Sequence, residues 1–457
     1  MSPRLMLAAP ASGSGKTTLT VGLVGAFRRR GLAVQPFKCG PDYIDPGYHT
    51  QAADRPCRNL DTWLLDQEQV RTLFAYTSAD ADITLIEGVM GLFDGLGALD
   101  DRGSSADVAR LLDTPVVLIV DASGMASSVA ALVDGFRNFD SQVRIGGVLL
   151  NRMGSARHAD LCATAIQHHT GIPCFGYLLR HAAIQLPERH LGLVTTAEEG
   201  PWIDTLGQIA DLIADTCDLD GLLALAATAP PLPSPTITTP SITPSAHRSV
   251  IAVAQDAAFS FTYHETRELL ESAGAEVVPF SPIADAVLPP ETRGIMLSGG
   301  FPELYAEALS RNTAIHDAIR SAHRKGTPIY AECGGLMYLT EQLIDQQDQT
   351  WPMVGLLPGR SVMTDRLALG YRTIRAPQDG PLLTANETMR GHEFHYSRWE
   401  GQPATLPAAY TVLAPDGTQS YGEGAYLNNL IASYIHLHWL ANPKMAQRFV
   451  STCAKAT

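Results

Sequence analysis

The chain has 457 residues, more than an ordinary single domain, so we expect two or three domains. Hydrophobic residues make up 45% and charged residues 18% of the sequence, a balance typical of a folded α/β protein and not of a disordered chain. The net charge of −14 disfavours nucleic-acid binding, because neutralising phosphates requires clustered lysine and arginine.

Cysteine usage and hydropathy predict a cytoplasmic protein that does not bind membranes. The seven cysteines are scattered, odd in number and without a CxxC pair, which favours free thiols in a reducing compartment. The N-terminus lacks the long apolar core of a signal peptide. Apolar runs such as 115–120 are strand-length, far too short to span a bilayer. The sequence is compatible with a homodimer.

The N-terminal part, residues 1–228, alternates β-rich runs with helical patterns. The helical patterns include 16–30 and 104–112, and the strand candidates are 4–9, 33–38, 83–88, 115–122 and 145–152. Strands alternating with helices favour right-handed βαβ units around a mostly parallel sheet covered on both faces. We therefore expect a doubly wound α/β domain.

A glycine-rich loop, SGSGKTT at 12–18, follows the first predicted strand and precedes a predicted helix. Glycines let backbone N–H groups point at phosphate oxygens, and the helix N-terminus adds positive potential. Lys16 can reach the outer phosphates and the Thr17 hydroxyl can hold Mg²⁺. The strict motif is not met, since Pro10 stands where its first glycine belongs. The predicted nucleotide-binding residues are Gly13, Ser14, Gly15, Lys16, Thr17 and Thr18.

Acidic residues follow two further predicted strands. Asp42 and Asp45 lie in FKCGPDYIDPGYH (37–49), whereas Glu87 and Asp94 lie in LIEGVMGLFDG (85–95). Because ligands bind outside the carboxyl ends of parallel strands, both segments should converge on the phosphate loop, where carboxylates would hold Mg²⁺ or orient a substrate. The alternative is that the aspartates only stabilise turns.

Two residues at the ends of later strands are weaker candidates for the same site. Asp121 follows the run VVLIV and is a second choice, after Glu87, as a magnesium ligand. Asn151 ends the strand at 145–152 and is expected to contact adenine. Both assignments depend on the parallel order of the predicted sheet.

Residues 229–248 hold six prolines among serines and threonines, which predicts an extended linker. The following part, 249–457, starts with strand candidates at 249–256, 275–282, 294–300 and 328–335. Its later candidates, 369–376, 392–399 and 409–415, look antiparallel. We therefore expect a second doubly wound α/β domain.

The segment IYAECGGLMYL predicts a nucleophilic cysteine, because Cys333 lies between a strand and a helix. A helix N-terminus favours the thiolate, and backbone N–H groups near Gly299 and Gly300 could form an oxyanion hole. In SYIHLHW, His436 is the candidate base. The alternatives are an inert buried cysteine, and a zinc pair or ordinary packing for His436 and His438.

Eight motifs together resemble the cobyrinate a,c-diamide synthase family of cobalamin biosynthesis. They are SGSGKTT, KCGPDYIDPGYH, RNLDTWL, EGVMGLFDG, SGGFPELYAE, YAECGGLMYL, GHEFHYS and SYIHLHW, and the likeness runs from residue 4 to about 445. The resemblance implies a P-loop domain similar to dethiobiotin synthetase, joined to a class I glutamine amidotransferase domain. In such amidotransferases a glutamate follows the base by two residues, where this chain has His438, so the resemblance does not say what orients His436.

The resemblance implies an ATP-dependent ligase that takes ammonia from glutamine and amidates two carboxylates of a corrin macrocycle through acyl phosphates. Cys333 and His436 would release the ammonia. The implied Mg²⁺ ligands are Thr17, Asp45 and Glu87, with Asp45 and Asp94 as the catalytic carboxylates of the synthetase. The macrocycle stays open between cobyrinate, its metal-free counterpart and a nickel tetrapyrrole. Two other classes also stay open: a nucleotide switch, and a Cys333 hydrolase regulated by the first domain.

Overall fold

The computed structural model describes residues 3–180, 188–189, 192–196, 202–233, 242, 244–245, 248–414 and 420–456. The chain divides into two compact units, Met1–Thr239 and Pro240–Thr457. Much of the predicted linker at 229–248, including 234–241, lies outside the described residues. Within the described ranges, no helix is both long and apolar enough to cross a membrane.

The first unit is built on a seven-stranded parallel sheet. Its strands are β1 Arg4–Ala8, β2 Val34–Cys39, β3 Arg58–Leu60, β4 Ile83–Glu87, β5 Val116–Asp121, β6 Ile145–Met153 and β7 Cys174–Leu179. A short hairpin follows, formed by β8 Glu188–Arg189 and β9 Gly192–Leu193. The first six strands of the unit except β3 were predicted from β-rich runs, and β1, β2, β4 and β5 are almost fully buried.

The strand order β3-β2-β4-β1-β5-β6-β7 makes this unit doubly wound. The chain moves one way from β1 to β3 and the other way from β4 to β7, so right-handed crossovers place helices on both faces. The helices are α1 Lys16–Arg29, α2 Asp45–Ala53, α3 Gln67–Thr77, α4 Ser105–Leu111, α5 Ser128–Phe139, α6 Ala156–Thr170, α7 Trp202–Thr216 and α8 Leu219–Ala227. The direction reverses around β1 and β4, where a ligand crevice is expected.

Helix α7 packs closely on α1 because α1 carries two glycines on the contact face. A β-carbon at Gly22 would lie 2.6 Å from Ile213, and one at Gly25 would lie 2.7 Å from the β-carbon of Ala210. Helix α7 therefore fixes the position of α1, and with it the phosphate loop at the N-terminus of α1.

The second unit begins with a six-stranded sheet in the order β12-β10-β13-β15-β23-β22. All its pairs are parallel except β22 with β23. Its strands are β10 Ser249–Ala254, β12 Ala275–Phe280, β13 Thr292–Leu297, β15 Ile329–Glu332, β22 Ala425–Leu427 and β23 Leu430–Ser433, with a separate small pair β11 Phe259–Phe261 and β14 Gly299–Gly300. Its helices are α9 His264–Ser272, α10 Ala306–Arg311, α11 Thr313–Arg324, α12 Gly334–Leu339 and α13 Lys444–Lys455.

A second, mainly antiparallel sheet completes this unit. It consists of β16 Thr340–Ile344, β17 Thr350–Pro352, β18 Leu357–Arg375, β19 Thr388–Glu400, β20 Tyr410–Leu413, β21 Ser420–Glu423 and β24 His436–Leu437. Strand β18 pairs with β19 and β20 in antiparallel fashion, which confirms the antiparallel pattern expected for this part of the chain. The edge strand β24 pairs with β19 and sets His392 opposite His436.

Candidate functional site

The phosphate loop connects β1 to α1, as the sequence predicts. Gly13 and Gly15 adopt left-handed backbone angles, with φ of +75° and +90°, which favour glycine. A β-carbon at Gly15 would also lie 2.0 Å from the side-chain nitrogen of Asn151. Helix α1 begins at Lys16, so its first backbone N–H groups face the loop.

Lys16 points back along the phosphate loop. Its Nζ donates to the carbonyl oxygen of Met90 at 2.6 Å and to that of Ala11 at 3.4 Å. Burial and the neighbouring Lys38 lower the pKa of Lys16. The ammonium is therefore poorly compensated, and an anionic phosphate would stabilise it.

Thr17 lies at the centre of a group of oxygen atoms. Its hydroxyl donates to Oε1 of Glu87 at 2.9 Å and lies 3.2 Å from Oδ2 of Asp45. The residues implied as Mg²⁺ ligands thus come together from α1, α2 and the end of β4. Hydroxyl and carboxylate oxygens are the donors that Mg²⁺ prefers, so these three side chains fit the ion.

Lys38 lies between the same two carboxylates. Its Nζ is 2.5 Å from Oδ2 of Asp45 and 2.6 Å from Oε1 of Glu87, and Asp42 lies 3.5 Å away. On the other side of Glu87, Nε2 of His49 lies 2.6 Å from Oε2. Sequence reasoning left Lys38 and His49 out of the site. The sequence feature that could have indicated Lys38 is a lysine near the end of a mainly apolar strand.

Burial and the neighbouring charges shift the pKa values of this cluster in different directions. Burial lowers the pKa of Lys38, but Asp45 and Glu87 outweigh burial and raise it well above its usual value. Burial acts against ionisation of Glu87, yet Lys38 and His49 hold its pKa well below the usual range. Burial and the charge of Asp42 raise the pKa of Asp45 to about 8. Burial and Asp42 therefore disfavour the negative charge of Asp45, and a cation bound beside this carboxylate would stabilise it.

Asp42 and Asp94 both close turns in the described structure. Oδ1 of Asp42 accepts hydrogen bonds from the backbone N–H groups of Ile44 and Asp45, so it fixes the start of α2. Oδ2 of Asp94 accepts from the N–H of Gly91 at 2.9 Å. The negative charge of Asp94 also acts to raise the pKa of Lys16. The role of Asp94 as a catalytic carboxylate of the synthetase stays a prediction.

The side chain of Asn151 is hydrogen-bonded to the phosphate loop. Its Nδ2 donates to the carbonyl oxygen of Ser14 at 2.8 Å, and its Oδ1 accepts from the backbone N–H of Arg152. The expected contact with adenine stays a prediction. Asp121, the second choice as a magnesium ligand, forms an ion pair with Arg152 at 2.7 Å.

Cys333 forms the sharp turn that the sequence predicts for a nucleophile. Its backbone has φ of +46° and ψ of −101°, a conformation that non-glycine residues rarely adopt. The turn needs a glycine behind it, since a β-carbon at Gly335 would lie 2.3 Å from the carbonyl oxygen of Leu297. Helix α12 starts directly after the cysteine.

His436 is the imidazole that meets this cysteine. Its ring interacts with the thiol of Cys333, and its Nδ1 lies 3.3 Å from Oε2 of Glu332. Burial lowers the pKa of His436, but Cys333 and Glu332 outweigh burial and raise it to about 10. A protonated imidazole next to the thiol is the arrangement by which a base activates a cysteine nucleophile.

The loop predicted to form the oxyanion hole lies against the same pair. A β-carbon at Gly299 would lie 2.5 Å from Cε1 of His436, so only glycine fits there. The backbone nitrogen of Gly300 would lie 3.0 Å from a β-carbon at Gly334, the residue after the nucleophile. Both glycines are thus near the reacting cysteine, and their role as donors to an oxyanion stays a prediction.

His438 packs against residues other than His436. Its ring stacks on Tyr263 with centroids 4.2 Å apart, and its Nε2 lies 3.7 Å from Oε2 of Glu265. Among the residues that the structure describes, no three His, Cys, Asp or Glu side chains form a group that could hold a metal ion. The stacking on Tyr263 and the contact with Glu265 fit the packing alternative for His438.

Two family models match the chain, one in each unit. Residues 5–194 match the CobQ/CobB/MinD/ParA nucleotide binding domain, and residues 250–444 match the CobB/CobQ-like glutamine amidotransferase domain. A cobyrinate a,c-diamide synthase from Dehalococcoides mccartyi (strain CBDB1) is 45% identical, over 98% of this chain and 97% of its own length. One from Priestia megaterium is 42% identical over 99% and 97%. A hydrogenobyrinate a,c-diamide synthase from Streptomyces coelicolor is 43% identical over 99% and 97%.

Proposed function

The chain belongs to the cobyrinate and hydrogenobyrinate a,c-diamide synthase family, and from that premise we propose that it amidates the a and c carboxylates of a corrin macrocycle. The reaction uses ATP to activate each carboxylate and glutamine as the source of nitrogen. One observation carries the proposal. The same chain holds a strained cysteine next to an imidazole and a phosphate loop facing clustered carboxylates.

The second unit supplies ammonia. The Cys333 thiolate attacks the side-chain amide carbon of glutamine, and the developing negative charge falls on the amide oxygen near Gly299 and Gly300. The C–N bond then breaks as His436 gives its proton to the departing nitrogen, which leaves as ammonia. Water, deprotonated by His436, hydrolyses the γ-glutamyl thioester to glutamate and restores the thiolate.

The first unit attaches the nitrogen. A carboxylate cannot react directly with ammonia, because the leaving group would be oxide. Transfer of the γ-phosphoryl group of ATP to the carboxylate gives an acyl phosphate, from which ammonia displaces phosphate and forms the amide. Lys16 would neutralise the transferred group, and the loop backbone would hold the remaining phosphates.

Thr17, Asp45 and Glu87 would hold Mg²⁺ at this site. The ion, when bound, neutralises negative charge on the phosphates of ATP. Lys38 already lies between the two carboxylates, so it fixes their orientation before the nucleotide binds. Asp94, whose charge acts on Lys16, would orient the acceptor carboxylate or the ammonia.

The test is amide synthesis by the purified full-length chain with ATP, Mg²⁺ and either glutamine or ammonium. Cobyrinate, hydrogenobyrinate and a nickel tetrapyrrole acid are offered separately, and products are identified by mass. We expect a diamide from at least one macrocycle, with two ADP formed per diamide. ATP hydrolysis without amide from any macrocycle and either nitrogen source would point to the nucleotide-switch class and overturn the proposal.

A further inference from the structure

We propose that Glu332 is the positioning residue for the base, in that its carboxylate fixes the ring of His436 toward Cys333. The inference deepens the proposed function, since it concerns the glutaminase half of the same reaction. It gives a role to a residue that stands in the nucleophile motif but to which neither the motif pattern nor the family resemblance assigns one. The residue immediately before the nucleophile takes the place of the glutamate that class I amidotransferases carry after the base.

The contacts of Glu332 fix its carboxylate in one orientation. Oε2 lies 3.3 Å from Nδ1 of His436, and Oε1 accepts the backbone N–H of Leu437 at 3.1 Å. The phenol of Tyr330 also donates to Oε1. The side chain is 6% exposed, so water competes little for these bonds. With Nδ1 3.3 Å from Oε2 of Glu332, Nε2 is the ring nitrogen left to exchange a proton with the thiol.

His438, the residue at the usual glutamate position, is engaged elsewhere. Its ring stacks on Tyr263, and Glu265 lies 3.7 Å from its Nε2. Its ring faces a tyrosine and a carboxylate instead of the ring of His436, and an imidazole in that place would supply no negative charge. A carboxylate is the group that stabilises the imidazolium formed during proton transfer, and Glu332 supplies it.

The strained turn at Cys333 explains how two consecutive residues can both reach one imidazole. Neighbouring side chains in a regular strand point to opposite faces. The positive φ of Cys333 breaks that alternation at the end of β15, directly after Glu332. His436 lies on β24, in the other sheet of the unit, so Glu332 and Cys333 together connect the two sheets through the same ring.

The test compares Glu332→Gln with the wild-type full-length protein in glutamine-dependent and ammonium-dependent amide synthesis. Glutamine keeps the size of the side chain and removes its charge. We expect kcat with glutamine to fall by about 10- to 1,000-fold with little change in KM, while synthesis with ammonium keeps its wild-type rate. If Glu332→Gln makes the amide from ammonium at the wild-type rate, the variant is folded and the proposed function is intact.

The pH profile separates positioning from a merely structural role. The alkaline limb of kcat with glutamine reports loss of the His436 proton, and removing the Glu332 charge should move that limb to lower pH by about one unit. Glu332→Asp, which keeps the charge, should lie between the wild type and Glu332→Gln. Glu265→Gln is the matched control and should leave the limb in place. The inference would be overturned if the alkaline limb of Glu332→Gln stayed at its wild-type pH, or if only Glu265→Gln moved the limb. A wild-type protein that makes no amide with ammonium would instead overturn the proposed function.

Discussion

Lys38 and Glu87 form an ion pair at the centre of the first unit, with Nζ 2.6 Å from Oε1 and both side chains almost fully buried. The same Glu87 oxygen accepts from Thr17, and the same ammonium contacts Asp45. The pair therefore connects the phosphate loop to the acidic residues that follow β2 and β4. It holds two carboxylates close together, although they would otherwise repel each other.

Lys38→Met should destabilise the first unit and make its stability depend on Mg²⁺. Removing one partner of a buried ion pair leaves the other charge uncompensated, which costs about 3–5 kcal/mol. Urea unfolding at neutral pH measures the loss, and added Mg²⁺ should restore part of it. Lys325→Met, at an exposed position, is the control and should change stability by less than about 0.5 kcal/mol. Equal stability of both variants without Mg²⁺ would contradict the role given to Lys38.

Lys16→Ala should strongly slow amide synthesis with either nitrogen source. The residue acts on the phosphoryl transfer that both routes share, so we expect kcat to fall by roughly 10²–10³-fold with glutamine and with ammonium alike. The measurement is ADP and amide formation at saturating ATP, with Lys325→Ala as the control. A variant that kept ammonium-dependent synthesis would remove Lys16 from the reaction.

Cys333→Ala should lose glutamine use and keep ammonium use. The thiol is needed only to release ammonia, whereas the acyl phosphate forms in the other unit. Parallel assays with glutamine and with ammonium measure the split. Cys174→Ala, at a half-buried thiol of the first unit, should behave as wild type in both. Glutamine-dependent synthesis by Cys333→Ala would refute the nucleophile assignment.

Gly299→Ala should lower glutamine-dependent synthesis, as Cys333→Ala does, because it displaces the base. Its new β-carbon would lie 2.5 Å from Cε1 of His436, so the ring or the loop must move. A displaced imidazole loses its alignment with Cys333, and we expect kcat with glutamine to fall by at least about 10-fold. Ammonium-dependent synthesis measures whether the rest of the chain is unaffected. Gly97→Ala, where a β-carbon meets nothing within 4 Å, is the control. Unchanged glutamine-dependent synthesis would contradict the prediction, because the loop would then accommodate the added methyl group without displacing His436.

Glu423 should make the stability of the second unit fall as the pH rises from about 4.5 to 7. Burial raises its pKa to about 7, although Ser433 and the N–H of Tyr434 donate to it. Between its ordinary value of 4.5 and about 7 the folded state binds the proton more tightly than the unfolded state, so stability decreases with pH and levels off above 7.

Glu423→Gln lacks this titration. Its unfolding free energy relative to wild type should therefore increase from pH 4.5 to 7 and stay constant above, as measured by urea unfolding across that range. Glu291→Gln, at an exposed position, is the control and should show a constant difference. A constant difference for Glu423→Gln as well would show that this carboxyl titrates normally in the fold.

Local patterns were enough to predict most elements that carry the two sites. The glycine loop, the strand end at Glu87 and the turn at Cys333 all depend on residues adjacent in the chain. The expected strand end at Asn151 is wrong, because β6 continues to Met153. Strands β3 and β7 were not predicted. β3 has three residues, and β7 is only partly buried, so neither has a strong apolar period.

The sequence by itself determined which chemical groups this protein has and in which half they lie, because each motif encodes its own turn, strand end or helix start. Only the tertiary structure decided which groups meet. Glu332 reaches His436 across two sheets, and Lys38 reaches Glu87 from a neighbouring strand. Such pairs join residues far apart in the chain, and their distances are set by strand order and by packing between sheets, which no local propensity specifies.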